Sequence, residues 1–126
     1  MSEAPEGQLA IRTLAMPADT NPSGDIFGGW LLGQMDIAGA TVAHERTGGR
    51  VATVAVEAMT FHRPVYVGDL VSCYGKVMRV GRTSITIQVE VWARRHRNGE
   101  DIKVTEGRYT YVAMDDMRRP RQIPPQ

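Results

Sequence analysis

One apolar run that contains a single ionisable side chain constrains the fold of this chain more than any other feature. Residues 26–43 read IFGGWLLGQMDIAGATVA, in which Gln34, Asp36 and Thr41 are the only polar side chains and only Asp36 is ionisable. A helix that is apolar on all sides is normally buried. Because an unpaired carboxylate is costly to remove from water, we expect Asp36 to be paired, neutralised or functional.

Turn-forming residues bound this run on both sides. Residues 16–25 (MPADTNPSGD) predict a loop, and we expect its last residue, Asp25, to cap the helix that follows. The helix is predicted to run from about Phe27 to Glu45 or Arg46. Residues 47–49 (TGG) then end it, because glycine favours the left-handed conformation in which helices commonly terminate.

The rest of the chain has the patterns of β-strands. Residues 84–94 alternate most clearly, with Ile85, Ile87, Val89, Val91 and Ala93 facing one way. Residues 51–59 are apolar on both faces, which predicts a central strand. Asn98-Gly99 is a hairpin-turn dipeptide, and the last strand places Tyr109 and Tyr111 on one face. The predicted strands are residues 8–15, 51–59, 70–80, 84–94 and 101–114.

These elements predict an α+β fold in which a long central helix is wrapped by a curved antiparallel sheet of about five strands. We expect one domain, residues 1–126, with irregular tails at residues 1–7 and about 116–126. One curved sheet covers only one side of a helix. In a chain this short, a second copy of the protein is the expected cover for the other side. The pattern therefore predicts a homodimer.

Composition excludes several classes of function. The net charge of +1 and the aromatic content of 6% argue against nucleic acid binding. Asp36 near the middle of the apolar run argues against membrane insertion. The single cysteine, Cys73, excludes an intrachain disulfide and fits a reducing compartment. Since the start MSEAPEGQ does not resemble a secretory signal, we expect a cytoplasmic protein.

The start of the helix has the features of an oxyanion hole. Gly28 and Gly29 leave the backbone N–H groups of the first turn unhindered, at the positive end of the helix dipole. Asn21 can donate a side-chain hydrogen bond, although Asn-Pro is also a common turn initiator. Asp36 follows the glycines by ~11–12 Å along the axis, too far for one carbonyl to contact both. The site is therefore expected to be shared between subunits, unless Asp36 only pairs with a cation or caps a loop.

Other chemistries have weaker signals. His44, His62 and His96 have no metal-ligand spacing, and Cys73 has no CxxC partner, so no metal is expected. The run KVMRVGRTS (residues 76–84) can instead bind phosphate, because arginines flank a glycine turn that ends in two hydroxyl side chains. A solvated hairpin end is the alternative there, and it is the favoured interpretation of the basic residues 94–97.

Two stretches of the chain match a known family. They are LAMPADTNPSGDIFGGWLLGQMD (residues 14–36) and VATVAVEAMTFHRPVYVGDLVSCYGKVMRVGRTSITIQVEVW (residues 51–92), and they resemble the YciA-type acyl-CoA thioesterases of the hotdog-fold superfamily. The resemblance implies hydrolysis of fatty acyl-CoA to CoA and a fatty acid. It implies dimers with a continuous sheet as the minimal active unit, commonly assembled into hexamers. No cofactor is implied, since CoA is part of the substrate. The match weakens after Arg94.

The resemblance also implies roles for individual residues. The catalytic aspartate and asparagine of the family correspond to Asp36 and Asn21, and the N–H groups that hold the thioester carbonyl correspond to Gly28 and Gly29. Two alternatives stay open at this point. One is a non-catalytic acyl-CoA-binding or regulatory module, and the other is a dehydratase, which would need a histidine near the helix start where this chain has none. The expected CoA contacts are Arg79, Gly81, Arg82, Thr83 and Ser84.

Overall fold

The computed structural model describes residues 3–126 as one antiparallel sheet with one long helix against it. A single turn of 3-10 helix (Pro17–Asp19) precedes the long helix. The elements are β1 (Gln8–Leu14), α1 (Gly28–Thr47), β2 (Val51–Phe61), β3 (Leu70–Val80), β4 (Ser84–Arg94) and β5 (Asp101–Ala113).

The five strands lie in the order β1-β3-β4-β5-β2, and every neighbouring pair is antiparallel. Helix α1 packs against all five strands, so the sheet curves around it. The predicted fold class, a long helix wrapped by a curved five-stranded antiparallel sheet, is therefore confirmed.

The core lies between α1 and the centre of the sheet. The alternation predicted for β4 is confirmed, because its five alternating apolar side chains are completely buried. They pack in one cluster with Leu31, Met35, Ala38 and Val42 from the helix. Burial of this apolar surface is the main favourable contribution to folding.

The prediction that β2 is a central strand is wrong for the single chain. β2 lies at the edge of the sheet and pairs only with β5. Several of its apolar side chains are exposed to solvent. Val54 is 58% accessible and Val56 is 45% accessible. Ile37 of α1 is 55% accessible. The two-sided apolar pattern of β2 therefore has a different cause, an open apolar face that this chain does not cover itself.

The helix does not begin with the predicted cap. Phe27 occupies the N-cap position in an extended conformation, and no side chain caps the helix. Asp25 is engaged elsewhere, since its backbone N–H and C=O both bond to Asn21. The predicted end is confirmed to within two residues, with Gly48 in the left-handed conformation at φ 76°.

Among residues 3–126, every helix falls short of the combination of length and hydrophobicity that a membrane-spanning helix needs.

The described ends of the chain lack regular structure, and residues 1–2 of the predicted N-terminal tail lie outside the described part. Residues 3–7 contain no helix or strand, and neither do residues 115–126. The C-terminal tail is nonetheless packed against the domain. Ile123 is only 6% accessible and belongs to the core cluster.

A buried ion pair fixes the loop between β2 and β3. Asp69 is 2% accessible, and its Oδ2 accepts hydrogen bonds from Arg95 Nη1 and from the Tyr66 N–H. Arg95 also donates to the Pro64 carbonyl at 3.0 Å, and its guanidinium lies 4.8 Å from the centre of the Tyr66 ring. The basic cluster at residues 94–97 is thus not entirely a solvated hairpin end, because Arg95 is part of the packed structure.

The neighbouring residues Arg94 and Arg95 allow a matched test of this pair. Arg95→Met should lower the free energy of unfolding by about 3–5 kcal/mol, because it leaves the buried Asp69 carboxylate without its cation. Arg94→Met should leave the free energy of unfolding nearly unchanged, since its pair with Asp101 is about half exposed. Urea denaturation measures both values. Equal losses in the two variants would contradict the assignment.

Candidate active site

Asp36 lies on the face of α1 that turns toward β2 and β5, where two hydroxyl groups hold its carboxylate. Thr53 Oγ1 donates to Asp36 Oδ1 at 2.6 Å. Tyr111 Oη donates to the Asp36 backbone carbonyl at 2.8 Å and lies 3.2 Å from Oδ1. Such hydrogen bonds offset the cost of removing a carboxylate from water. Within the described chain, the helix thus accommodates Asp36 without a cation.

Tyr111 can reach the helix only because position 39 is a glycine. A Cβ on Gly39 would clash with Tyr111 Oη and would lie only 3.0 Å from two carbons of its ring. Tyr109 stacks beside Tyr111 with ring centroids 6.3 Å apart, and its Oη donates to the Leu32 carbonyl at 2.8 Å. Burial, followed by the charge of Asp36, raises the pKa of both phenols. Both tyrosines therefore stay protonated and act as donors.

The second carboxylate oxygen of Asp36 has no partner within the described chain, and no basic side chain there pairs with Asp36. The structure thus favours neither a salt bridge nor a loop cap as its role. Asp36 instead lies at an open groove of about 440 Å³. An oxygen that is free on an otherwise anchored carboxylate is available to act as a base or a nucleophile. The other lining residues are Leu32, Gly33, Thr53, Val56, Met59 and Tyr109.

The first turn of α1 keeps its donors free. Among residues 3–126, the N–H groups of Gly28 and Gly29 donate to no other residue. The missing side-chain cap is the reason, because an N-cap side chain would otherwise accept from this turn. A Cβ on Gly28 would lie 3.5 Å from the Phe61 ring, whereas one on Gly29 would meet nothing. This end of the helix is thus an open set of donors, separated from Asp36 by two helical turns.

Asn21 lies in the loop before the helix, and the oxygen of its side-chain amide stabilises the turn there. Its Oδ1 accepts from the N–H groups of Ser23, at 2.9 Å, and Asp25, at 3.1 Å. Its Nδ2 donates to no side chain or carbonyl of the described chain. The side-chain oxygen therefore has the turn-forming role expected of Asn-Pro, and the side-chain nitrogen remains available as a donor.

The proposed phosphate-binding residues lie in the connection between β3 and β4, residues 81–83, and in the strand ends beside it. Arg79 and Arg82 are exposed, and the Gly81 N–H donates to the Ser84 carbonyl at 2.7 Å. Ser84 pairs across the sheet with Val112, beside Tyr111. The connection is therefore at the end of the sheet nearer to Asp36, whereas Gly28 lies at the other end, beside Phe61.

Other nucleophiles and metals have little support. Cys73 is completely buried, and burial raises the pKa of its thiol to about 12, which disfavours the reactive thiolate. No group of three or more His, Cys, Asp or Glu side chains within residues 3–126 is arranged to hold a metal ion.

The sequence interpretation missed the two residues that hold Asp36. Thr53 lies in a strand rich in small residues, where a threonine has no distinctive signal. The sequence contains a partial signal for Tyr111. The last strand has Tyr109 and Tyr111 on one face, and a glycine in a helix often marks the close approach of another group. Which helix residue the phenol contacts depends on how the helix packs on the sheet.

The comparisons with known proteins agree with this geometry. The family model described as "Thioesterase superfamily" matches residues 23–100. The acyl-CoA thioester hydrolase YciA of Salmonella typhimurium is 54% identical over 129 aligned positions, which cover 100% of this chain and 97% of that protein.

Solved structures give the same result. A hexameric thioesterase from Yersinia pestis is 54% identical, with a TM-score of 0.94, and the match covers 98% of this chain and all of that one. A hexameric hotdog-fold thioesterase of Campylobacter jejuni is 44% identical, with a TM-score of 0.89, over 94% of this chain and 91% of that one. The expected resemblance is confirmed: the chain belongs to the thioesterase superfamily and has the hotdog fold.

Proposed function

We propose that this protein is an acyl-CoA thioester hydrolase that releases CoA and a free fatty acid, with Asp36 as the catalytic carboxylate. One observation carries the proposal. Asp36 is anchored through one oxygen by Thr53 and is free at the other, where it borders an apolar groove. An apolar groove suits an acyl chain, and the free oxygen suits the reacting thioester. The similarity to proteins named acyl-CoA thioester hydrolases supports the same substrate class.

The proposed mechanism uses the two ends of the site together. The N–H groups of Gly28 and Gly29 hold the thioester carbonyl and stabilise the negative charge that develops on its oxygen. Asp36 takes a proton from a water that attacks the carbonyl carbon, or attacks that carbon itself to form a mixed anhydride that water then cleaves. In both routes the C–S bond breaks and CoA leaves as the thiol. The Asn21 amide nitrogen orients the water or the carbonyl.

The distance between these groups supports a site that is shared with a second copy of the chain. Thr53, which holds Asp36, lies near one end of β2, and Phe61, whose ring lies beside Gly28, lies at the other. If β2 pairs with β2 of a second copy about a two-fold axis, each Asp36 approaches the Gly28 end of its partner. The pairing would also cover the exposed apolar side chains of β2 and remove its unpaired edge. The homodimer is thus the proposed active unit.

The remaining parts of the proposal concern binding and assembly. Arg79, Gly81, Arg82, Thr83 and Ser84 are the proposed contacts of the CoA nucleotide. No cofactor takes part, because CoA enters with the substrate. Hexameric relatives support a trimer of dimers as the full assembly. A cytoplasmic location stays a prediction from the sequence.

Asp36→Asn tests the central assignment. Hydrolysis of acyl-CoA should fall by about 10²–10⁴-fold, because the base or nucleophile is lost, while CoA still binds. Thiol release measures the first effect and calorimetry the second. Wild-type rates in this variant would exclude Asp36 as the catalytic group, whereas wild-type protein that binds CoA but hydrolyses no acyl-CoA would favour a binding module. Repeated turnover in ¹⁸O-water separates the two routes, since only direct attack places solvent oxygen in the Asp36 carboxylate.

Tyr111→Phe tests how the carboxylate is held. Loss of one of the two hydroxyl groups that position the Asp36 carboxylate should lower kcat about tenfold, because the reacting oxygen is less well oriented. Tyr109→Phe is the matched control, because its hydroxyl donates to the Leu32 carbonyl and not to Asp36. It should leave kcat within about twofold of wild type. Equal losses of kcat in both variants would contradict the role of Tyr111.

Gly28→Pro tests the oxyanion donors and the shared site. Proline removes the N–H at a helix position that tolerates it, and Phe27 already has φ −58° and ψ 136°, which suits a residue before proline. The rate constant kcat should fall about 10²–10³-fold, whereas Gly28→Ala, which keeps the N–H, should retain it.

Mixing subunits then tests the dimer. A dimer of one Asp36→Asn chain and one Gly28→Pro chain contains one intact shared site, so coexpression should restore up to about a quarter of wild-type activity. No recovery in isolated mixed dimers would place the site within one subunit.

A further inference from the structure

The C-terminal strap, residues 114–126, is tied to the connection between β3 and β4 rather than to the groove at Asp36. Ile123 is 6% accessible, and its backbone N–H donates to the Arg82 carbonyl at 2.8 Å. The neighbouring Thr83 carbonyl accepts from the Ala113 N–H, also at 2.8 Å. Two successive carbonyls of the connection therefore point toward the strap and the end of β5.

This arrangement fixes the direction of the donors on the opposite side. In a trans peptide the C=O of one residue and the N–H of the next point in opposite directions. Holding the Arg82 carbonyl toward Ile123 therefore turns the Thr83 N–H away from the strap. Among residues 3–126, the N–H groups of Arg82 and Thr83 donate to no other residue. The Arg82 side chain in this connection is exposed, and so is that of Arg79 near the end of β3, so free N–H groups and positive charge occur together.

The strap is itself firmly anchored at the end of the helix. Arg121 donates from Nε to the Met114 carbonyl at 2.9 Å and from Nη1 to the Thr47 carbonyl at 3.0 Å. Arg46 donates to the Pro124 carbonyl at 2.9 Å. A Cβ on Gly49 would lie only 2.9 Å from Arg121 Nη2, so the guanidinium fills the space beside that glycine. The strap thus spans from the C-terminal end of α1 to the β3–β4 connection.

We propose that Ile123 is a positioning residue for nucleotide recognition, and that the strap makes the enzyme select thioesters of CoA over the same acyl group on a carrier without a nucleotide. The inference rests on the proposed function, in which this connection binds the CoA nucleotide. Buried Ile123 holds the Arg82 carbonyl inward, and the Thr83 N–H and the arginine side chains then face the phosphates. Oriented N–H groups together with arginines are the usual recognition elements for phosphate. The acyl groove lies elsewhere and does not depend on the strap.

Two variants of the full chain test the proposal. Ile123→Asp releases the strap, because a carboxylate is not tolerated in the core, whereas Ile123→Val keeps both the packing and the N–H. The same short acyl group is supplied on CoA and on pantetheine, which lacks the nucleotide. Ile123→Asp should lower kcat/KM for the CoA thioester about tenfold or more, through KM, and leave the pantetheine thioester within about twofold. Ile123→Val should resemble wild type with both.

Binding of 3′-phosphoadenosine diphosphate, the nucleotide part of CoA, gives a second measurement that needs no catalysis. Its Kd should rise about tenfold in Ile123→Asp and stay unchanged in Ile123→Val. Ile123→Ala, which keeps the N–H and removes part of the packing, should lie between them, and it replaces Ile123→Asp if that variant does not fold.

The outcomes separate this inference from the proposed function. Parallel losses with both thioesters would assign the strap a role in stability alone and overturn the inference. An unchanged Kd for the nucleotide in a folded strap variant would do the same. Wild-type protein that binds the nucleotide but hydrolyses neither thioester would refute the proposed hydrolysis and leave the role of the strap in binding supported.

Discussion

The hydrogen bonds that hold the Asp36 carboxylate are the interaction on which the rest of the structure depends. The helix is apolar around most of its circumference, and a carboxylate in it requires compensation. Thr53 and Tyr111 supply that compensation from two adjacent strands. The phenol reaches the helix only across Gly39. The same contacts therefore stabilise the packing of helix on sheet and leave one carboxylate oxygen free for chemistry.

Two features of this chain that look like defects have one explanation in the proposed dimer. The helix begins without a cap, and β2 exposes apolar side chains at an unpaired edge. A capped helix would lose the free donors of Gly28 and Gly29, and a polar β2 would not pair with a second copy. Both the uncapped helix start and the unpaired edge of β2 lower the stability of the single chain. In each case the gain would be the proposed site between two chains.

The elements and the catalytic candidates could be predicted because their signals are local. The strict alternation of β4 and the glycine after α1 depend only on neighbouring residues. The predictions of the helix cap and of the position of β2 were wrong, because contacts between residues distant in the chain determine both features. Asp25 has the chemistry of an N-cap, but its backbone is held by Asn21 and the helix begins further along. β2 has the composition of a central strand, whereas its place in the sheet depends on strand order, which the pattern of one strand does not contain.

The sequence by itself determined that a long apolar run forms a helix, begins with two glycines and contains Asp36 as its only ionisable side chain, because composition specifies those features directly. Only the tertiary structure decided what surrounds them. Thr53 and Tyr111 are 17 and 75 residues away from Asp36 along the chain, and the Ile123 N–H reaches the Arg82 carbonyl only because the C-terminal strap packs against the domain. Such contacts follow from how the sheet curves around the helix, and no local pattern encodes that curvature.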